Sequence, residues 1–265
     1  MTASHAARAD VDTRTLPRYA AGEIDVPFVI GGVYEVMTRD THWEEHSHPT
    51  HELLWNERGV STATVGSRTW TITSSTGLWI PAGMPHTGWM PAGTWSRAAQ
   101  FRVDDAPLIA DGPVAVDVSP MLRLLLDRLK VDGLSPSSRA TTEAMVLDVL
   151  SPAAHELAVR IPDSLRLAPI VAAILADPAD TTTLEAWSKR LRLSARTITR
   201  LFQDETGVGF ARWVATARVQ RAIALMAHGE SIDDVALAVG FRSASAFGTA
   251  FRRITGTTPG RFKAL

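Results

Sequence analysis

The segment 240–262, near the end of the chain, constrains the fold more than any other part of the sequence. Its apolar residues Phe247, Phe251 and Ile254 recur at spacings of four and three, which predicts one buried face of a helix. Gly240 separates that helix from an earlier apolar run, at a tight turn that needs a residue without a Cβ. Two helices joined in this way predict the second half of a DNA-reading unit.

The outward face of the same helix is small and polar. We expect DNA contacts there from Ser243, Ser245 and Thr249. Because these side chains are short, we expect their contacts to be weak and made to phosphate or through DNA shape. Arg252 and Arg253 flank this face with the positive charge that a helix near phosphates requires.

A similar unit precedes this one. Ser194 can cap a helix whose buried side leaves Arg196, Thr199 and Arg200 facing outward. Arginine is well suited to grip O6 and N7 of guanine, a contact worth about 1–3 kcal/mol of discrimination. Each arginine could instead hold a phosphate, and both alternatives stay open. Residues 211–227 predict a helix of roughly 25 Å that would act as a rigid strut between the two units.

Length and charge agree with a DNA-reading domain attached to a separate body. A chain of 265 residues corresponds to about two domains at the usual ~100–200 residues each. From Asp163 onward there are 14 Lys and Arg against 9 Asp and Glu, a charge of +5 that leaves −6 for the rest. With no cysteine, a bound metal must be held by His and carboxylates.

The start of the chain predicts neither a signal peptide nor a membrane anchor. Residues 1–22 lack an apolar core, and no apolar run in the chain approaches the roughly 20 residues of a membrane span. We therefore expect a disordered leader at 1–22 and a cytoplasmic protein.

Residues 23–104 have several short, closely spaced strand patterns, typical of a small barrel or sandwich. The residues of interest within them are His46, His48, Glu52 and His86. If 46–52 form a strand, the first three side chains share one face, and the fourth would come from a neighbouring hairpin. Three imidazoles and one carboxylate can bind a single divalent transition metal (Zn, Ni, Co, Mn or Fe) with positions left for water or an effector.

Three interpretations of this cluster stay open. The first is a small-molecule sensor that uses a bound metal, and the second is a metal-free pocket whose imidazoles hydrogen-bond an anionic effector. The third is a metalloenzyme, such as a dioxygenase, fused to a DNA-binding domain. The sequence shows no additional acid or base set near the cluster, which counts against the enzyme.

Residues 105–162 change to a helical pattern. Ser119 and Pro120 can start a helix whose apolar stripe includes Leu122, Leu125 and Leu126. The stripe must be buried, either on the outside of the barrel or in a two-fold interface with a second copy. We therefore assign 105–162 as a helical linker with a dimerisation role.

The segment 184–262 resembles the signature of the AraC/XylS family of transcription regulators, in which Gly-Phe, Ser, Phe, Phe, Gly and Pro recur at these offsets. Ala246 departs from it, since many relatives carry an aromatic residue there. The histidine cluster is similar to the two cupin motifs, whose metal ligands match His46, His48, Glu52 and His86. Ser75 and Met90 depart from those motifs, where Gly and Asn are usual.

These resemblances imply an α+β two-domain protein. It would have a cupin-like β-barrel sensor at 23–104, the helical linker, and an all-α tandem helix-turn-helix domain of AraC type at 163–265. They imply a sequence-specific DNA-binding regulator and not an enzyme, with base readers at Arg196, Thr199 and Arg200. Its partners would be double-stranded operator DNA, a small-molecule effector, a second copy of the chain and, if it activates, RNA polymerase.

Overall fold

The computed structural model of the protein describes residues 11–106 and 109–263. A β-rich region with two facing sheets comes first, and a helical region follows it. In spatial order, the six-stranded sheet contains β1 (Asp12–Arg14), β3 (Thr41–His46), β8 (His86–Met90), β5 (Ser61–Val65), β6 (Arg68–Ile72) and β11 (Ala158–Arg160). The five-stranded sheet contains β10 (Val114–Asp117), β7 (Thr76–Ile80), β4 (His51–Arg58), β9 (Trp95–Phe101) and β2 (Ile30–Val36).

The helices of both regions are α1 (Pro120–Arg128), α2 (Pro136–Val149), α3 (Ala168–Ala176), α4 (Leu184–Leu191), α5 (Ala195–Thr206), α6 (Phe210–Ala227), α7 (Ile232–Ala238), α8 (Ala244–Thr255) and α9 (Pro259–Lys263). None of the helices in the described part of the chain is both long and apolar enough to cross a membrane. The predicted two-domain architecture, with a β-structured sensor region before an all-α reader region, is confirmed.

Strand β4 shows how alternation builds the sensor region. Leu54 is buried between the two sheets with Ala63 and Ile72, whereas Leu53 faces the other side, where α1 packs. Since Glu52 has the parity of Leu54, it lies toward the space between the sheets. The central position of β4 thus places a carboxylate in the interior.

Helices α1 and α2 pack on the outer face of the five-stranded sheet. Leu122, Leu125 and Leu126 are buried there with Leu53 and Trp79 of the sheet. Of the two alternatives for this apolar stripe, packing on the outside of the sensor is therefore the one observed. The stripe itself is unavailable for a dimer interface.

The range 105–162 also contains strands, which the prediction of a helical linker missed. Strand β10 pairs with β7, and β11 pairs with β6. Both strands are short, at four and three residues, so their pairing with distant strands is what reveals them. The exact limits of the functional domains stay a prediction.

The prediction of a disordered leader at 1–22 is wrong for 11–22, while 1–10 lie outside the described residues. Strand β1 pairs in parallel with β3, and Arg14 donates two hydrogen bonds, of 2.6 and 2.7 Å, to the carboxylate of Glu35. Tyr19 N–H donates to Ser47 Oγ, whose hydroxyl donates back to Tyr19 O. These contacts order residues 11–22. Because they are made by polar side chains and the backbone, no apolar pattern in the sequence indicates them.

The reader region has two helix-turn-helix units, α4–α5 (the first unit) and α7–α8 (the second unit), joined by α6. At 18 residues, α6 is roughly 27 Å long. Trp213 on α6 is buried in the core of the first unit with Phe202, and Ile223 in that of the second with Phe247. The strut predicted between two units is thus also a part of both cores.

Strand β11 and Leu157, the residue just before it, connect the sensor to both units. Leu157 is buried in the core of the second unit and Val159 in the core of the first. The indole Nε1–H of Trp213 donates to Arg160 O at 2.7 Å, and Gln220 Nε2 donates to Thr69 O on β6 at 3.2 Å. The reader is therefore docked on the β6–β11 edge of the sensor sheet.

Candidate functional site

The four predicted metal ligands come together inside the sensor. His46 ends β3, His48 lies in the loop that follows, Glu52 is on β4 and His86 begins β8. The ring centres of His46 and His86 are 4.3 Å apart, and that of His48 lies 5.0 and 5.4 Å from them. One ligand nitrogen of each imidazole lies within 4.8 Å of the others.

The expectation that 46–52 form one strand is wrong, because a loop separates β3 from β4. The side chains converge for a different reason: His46 and His86 are directly opposite in the β3–β8 ladder. Glu52 reaches them from the facing sheet, with one oxygen 3.4 Å from Nε2 of His48 and the other 3.4 Å from Nε2 of His86.

Backbone carbonyls set the tautomers of two imidazoles. Nδ1 of His46 lies 2.6 Å from Glu44 O, and Nδ1 of His86 lies 3.1 Å from Met84 O. Because a carbonyl only accepts, each Nδ1 carries the hydrogen, and in a neutral ring Nε2 carries the lone pair. Nε2 of His86 then meets a buried oxygen of Glu52 that has no hydrogen-bond donor among the described residues. A proton or a metal cation would relieve this repulsion.

The electrostatics keep a negative charge beside mostly neutral imidazoles. Burial lowers the pKa of His46 and of His48, which favours the neutral form that binds metals. Burial also opposes charge on His86, but its contact with Glu52 raises the pKa of His86. Burial would raise the pKa of Glu52, yet the imidazoles, His86 foremost, lower it. This donor set fits a divalent transition metal.

The cluster lines a cavity of about 180 Å³. Much of the remaining wall is apolar and includes Leu16, Met37, Leu54 and Ile72. A volume of this order holds a ligand about the size of a benzene ring with small substituents. The arrangement combines a polar, metal-competent cluster with apolar walls for one small molecule.

Two cavity residues were missed by the sequence analysis. Gln100 Nε2 donates to Glu52 Oε1 at 2.6 Å, while Gln100 Oε1 accepts from Thr50. Trp43 lines the wall, and its indole N–H has no hydrogen-bond partner among the described residues. Neither has a local signal: Gln100 meets Glu52 only through the β4–β9 pairing, and a bulge after Trp43 breaks the alternation.

The first unit presents the predicted base readers on the exposed side of α5. Arg196, Thr199 and Arg200 are all exposed, opposite the buried Ile198 and Phe202. Neither arginine has a hydrogen-bond or ion-pair partner in the described part of the chain. Both guanidinium groups are therefore available to DNA.

The outward face of the second unit has shorter side chains, and two of its hydroxyl groups already make hydrogen bonds within the helix. Ser243, Ser245 and Thr249 are exposed, but Ser243 Oγ accepts from the backbone N–H of Ala246 at 3.2 Å. Thr249 Oγ1 donates to Ser245 O at 3.1 Å. These three predicted contact residues have short side chains, which reach less far into a groove than an arginine does.

Arg218 on α6 holds the two units together, and no sequence pattern indicated this role. Its guanidinium donates to the backbone oxygens of Pro178, Asp180 and Gly240 at 2.8, 2.9 and 3.0 Å. The first two oxygens belong to the segment before α4 and the third to the turn of the second unit. The relative placement of the units is thus fixed by hydrogen bonds as well as by α6.

A two-sheet cavity joined to tandem helix-turn-helix units defines the class of the protein: a DNA-binding transcription regulator with a ligand-binding domain. Comparisons agree with this class. Residues 32–145 match the family described as AraC-like ligand binding domain, and residues 187–264 match a helix-turn-helix domain family. The chain belongs to the AraC family of transcription regulators.

Relatives of known class cover most of the chain. It is 24% identical to the HTH-type transcriptional regulator NimR of Escherichia coli (strain K12) over 82% of this chain and 81% of NimR. It is 32% identical to the HTH-type transcriptional regulator RipA of Corynebacterium glutamicum over 79% of this chain and 61% of RipA. Among solved structures, the DNA-binding domain of AdpA in complex with a target DNA aligns with 38% of this chain and 92% of its own, at 35% identity and a TM-score of 0.36.

These relatives are transcription regulators, and the class is non-enzymatic. The prediction of a regulator is therefore confirmed, and the alternative of a dioxygenase-like metalloenzyme is set aside.

Proposed function

We propose that the protein reads operator DNA sequence-specifically and that a small molecule bound in its sensor cavity, at a single divalent transition metal, controls this reading. The observation that carries the proposal is the meeting of three imidazoles and Glu52 on the wall of one cavity between the two sheets. His46, His48, Glu52 and His86 would hold the metal. When bound, the metal would offer open coordination positions to the effector.

Elemental analysis of protein purified without chelator or His tag tests the metal. We expect about one equivalent of Zn, Ni, Co, Mn or Fe in the wild type and its loss in His48→Ala. His42→Ala is the matched control, since His42 is on β3 but outside the cluster, and should keep the metal. A metal-free wild type, even after anaerobic reconstitution, would favour the alternative of imidazoles that hydrogen-bond an anionic effector.

The position of β11 supports a route from cavity to reader. Ala63 and Ile72 line the cavity on β5 and β6, β6 pairs with β11, and the chain at β11 contributes Leu157 and Val159 to the reader cores. A ligand that shifts β6 would shift contacts in both units. A ligand can act in this way only if it binds one arrangement more tightly than the other.

Amide hydrogen exchange on the full chain tests this route. Adding Co²⁺ to metal-free protein should slow exchange in β11 and in α6, as well as near His46. His48→Ala should abolish the change at all three places. Protection confined to the sensor would remove β11 from the mechanism.

The outward side chains of α5 and α8 support sequence-specific binding to double-stranded operator DNA. Arg196, Thr199 and Arg200 would carry most of the base discrimination, and Ser243, Ser245 and Thr249 would contribute less.

A homodimer would use the exposed residues of α1 and α2, since Met121, Leu124 and Met145 are 48, 71 and 40% exposed. A regulator of this kind acts in the cytoplasm and, if it activates, also contacts RNA polymerase.

Leu124→Glu tests the dimer. Sedimentation of the wild type should give a dimer and that of the variant a folded monomer, because Leu124 is 71% exposed and its substitution disturbs no buried packing within one chain. A monomeric wild type at micromolar concentration would contradict the interface.

A further inference from the structure

One residue of the first unit has an uncommon backbone conformation. In residues 11–106 and 109–263, ten of the eleven positions with positive φ are glycine, and the exception is Arg192. Arg192 ends α4 with φ 52° and ψ 39°, in the left-handed region. A side chain with a Cβ is strained there, so glycine is the expected residue. Such an exception calls for a functional reason.

The turn of the second unit provides the matched comparison. Arg192 N–H bonds to Lys189 O and Leu193 N–H to Ser188 O; in the same way, Gly240 N–H bonds to Leu237 O and Phe241 N–H to Ala236 O. Both turns therefore end their first helix with the same hydrogen-bond pattern, in which glycine usually occupies the left-handed position. Gly240 occupies it in one turn and Arg192 in the other.

Steric crowding explains why the turn of the second unit has a glycine, but it does not explain why the turn of the first unit has an arginine. A Cβ at Gly240 would lie 2.9 Å from Ala179 Cα and 3.0 Å from Arg218 Nη2. The second turn is thus packed against the segment before α4. Arg192 is exposed instead, and its side chain has no hydrogen-bond, ion-pair or ring partner among the described residues. No contact within the protein compensates for its strain.

We propose that Arg192 is a DNA contact of the first unit that binds a backbone phosphate beside the major groove entered by α5. The reading helix of a helix-turn-helix enters the groove with its N-terminal residues, while the helix before it crosses the DNA backbone. The turn between them therefore lies at the groove edge, where phosphates are. Arg192 precedes the N-cap Ser194 by two residues. Its contact is independent of base sequence and positions α5 for Arg196 and Arg200.

The full chain with a mixed-sequence DNA duplex tests this contact, because phosphate binding needs no operator. Affinity is measured by fluorescence anisotropy between roughly 50 and 200 mM salt. Arg192→Gly and Arg192→Asn should weaken binding about three- to tenfold and reduce the slope of log affinity against log salt by about 0.9. Arg192→Lys keeps the charge and should retain the slope. Lys130→Gln, a charge removed from the sensor, should also leave it unchanged.

Thermal unfolding of the same variants separates the DNA contact from a structural role. Gly and Asn tolerate the left-handed conformation, so both should raise the melting temperature, by roughly 2–4 °C, while Arg192→Lys should not. Weaker DNA binding together with higher stability supports the proposal. An unchanged salt slope in Arg192→Gly, or a lower melting temperature, would overturn it.

Discussion

The first and second units have nearly the same scaffold and different outward surfaces. Reading helices α5 and α8 each have 12 residues, a serine N-cap and a left-handed glycine C-cap. Counted from the N-caps, Ile198 corresponds to Phe247 and Phe202 to Phe251, and all four are buried. On the outward side, however, Arg196 corresponds to Ser245 and Arg200 to Thr249. The scaffold is therefore set by caps and core, whereas the outward side chains, which we propose read the DNA, differ between the units.

The turns of the two units also differ. At the left-handed position of its turn, the first unit has Arg192, although glycine would be unstrained there. The second unit has Gly240 at this position, and the surrounding atoms leave no room for a Cβ. Arg218 and the backbone near Ala179 fill the space around Gly240, while the first turn is open to solvent. On the proposals above, the first unit would contact DNA with both its helix and its turn, whereas the second turn is packed against the segment before α4 and against Arg218.

The largest effect is expected from Gly240→Ala. The new Cβ would combine left-handed strain of about 1 kcal/mol with overpacking against Ala179, so the free energy of unfolding should fall by about 2–4 kcal/mol. Gly207→Ala is the control, since Gly207 has φ 80° but open space around it, and should lose about 1 kcal/mol. Denaturant unfolding measures both. Equal losses would mean that the second turn is not packed more tightly than the end of α5.

Arg200→Ala tests the difference between the outward surfaces. If Arg200 contacts guanine, affinity for an operator selected from random duplexes should fall about 10- to 100-fold, with a much smaller loss on mixed-sequence DNA. Arg166→Ala removes an exposed charge of the reader outside both units and should affect the two DNAs equally. Equal losses in Arg200→Ala as well would show that Arg200 holds phosphate.

The reader was largely predictable because its signals are local. The serine caps, the spacing of the phenylalanines and Gly240 are all visible within short windows of sequence. The hydrogen bonds of Arg218 and the conformation of Arg192 are not, because both depend on how segments far apart in the chain pack together.

In the sensor, the four cluster residues were found by motif, but the strand assumed for them does not exist. Their convergence depends on the β3–β8 pairing and on the approach of the facing sheet. Gln100 and Trp43 follow from the same long-range pairing and could not be predicted. The burial of Leu157 and Val159 in the reader cores could not be predicted either, since it depends on how the reader docks on the sensor.

The serine caps should show that the two scaffolds are equivalent. Ser194→Ala and Ser243→Ala each remove one acceptor for a backbone N–H, of Thr197 and Ala246 respectively. Each should lower the free energy of unfolding by about 1 kcal/mol. Chemical denaturation of the full chain measures the losses. A much larger loss in one variant would mean that its reading helix depends more on its cap than on its core.

The smallest effect is expected from Thr249→Ala. Thr249 occupies the position of Arg200, but its hydroxyl already donates to Ser245 O, and an exposed substitution of this kind usually changes free energy by less than about 0.5 kcal/mol. Operator affinity should therefore change by no more than about twofold. Thr249→Arg is the complementary variant, which should strengthen binding to mixed-sequence DNA by adding a cation near phosphate. If Thr249→Ala instead lost affinity as strongly as Arg200→Ala, the second unit would read bases directly, and the contrast between the two surfaces would fail.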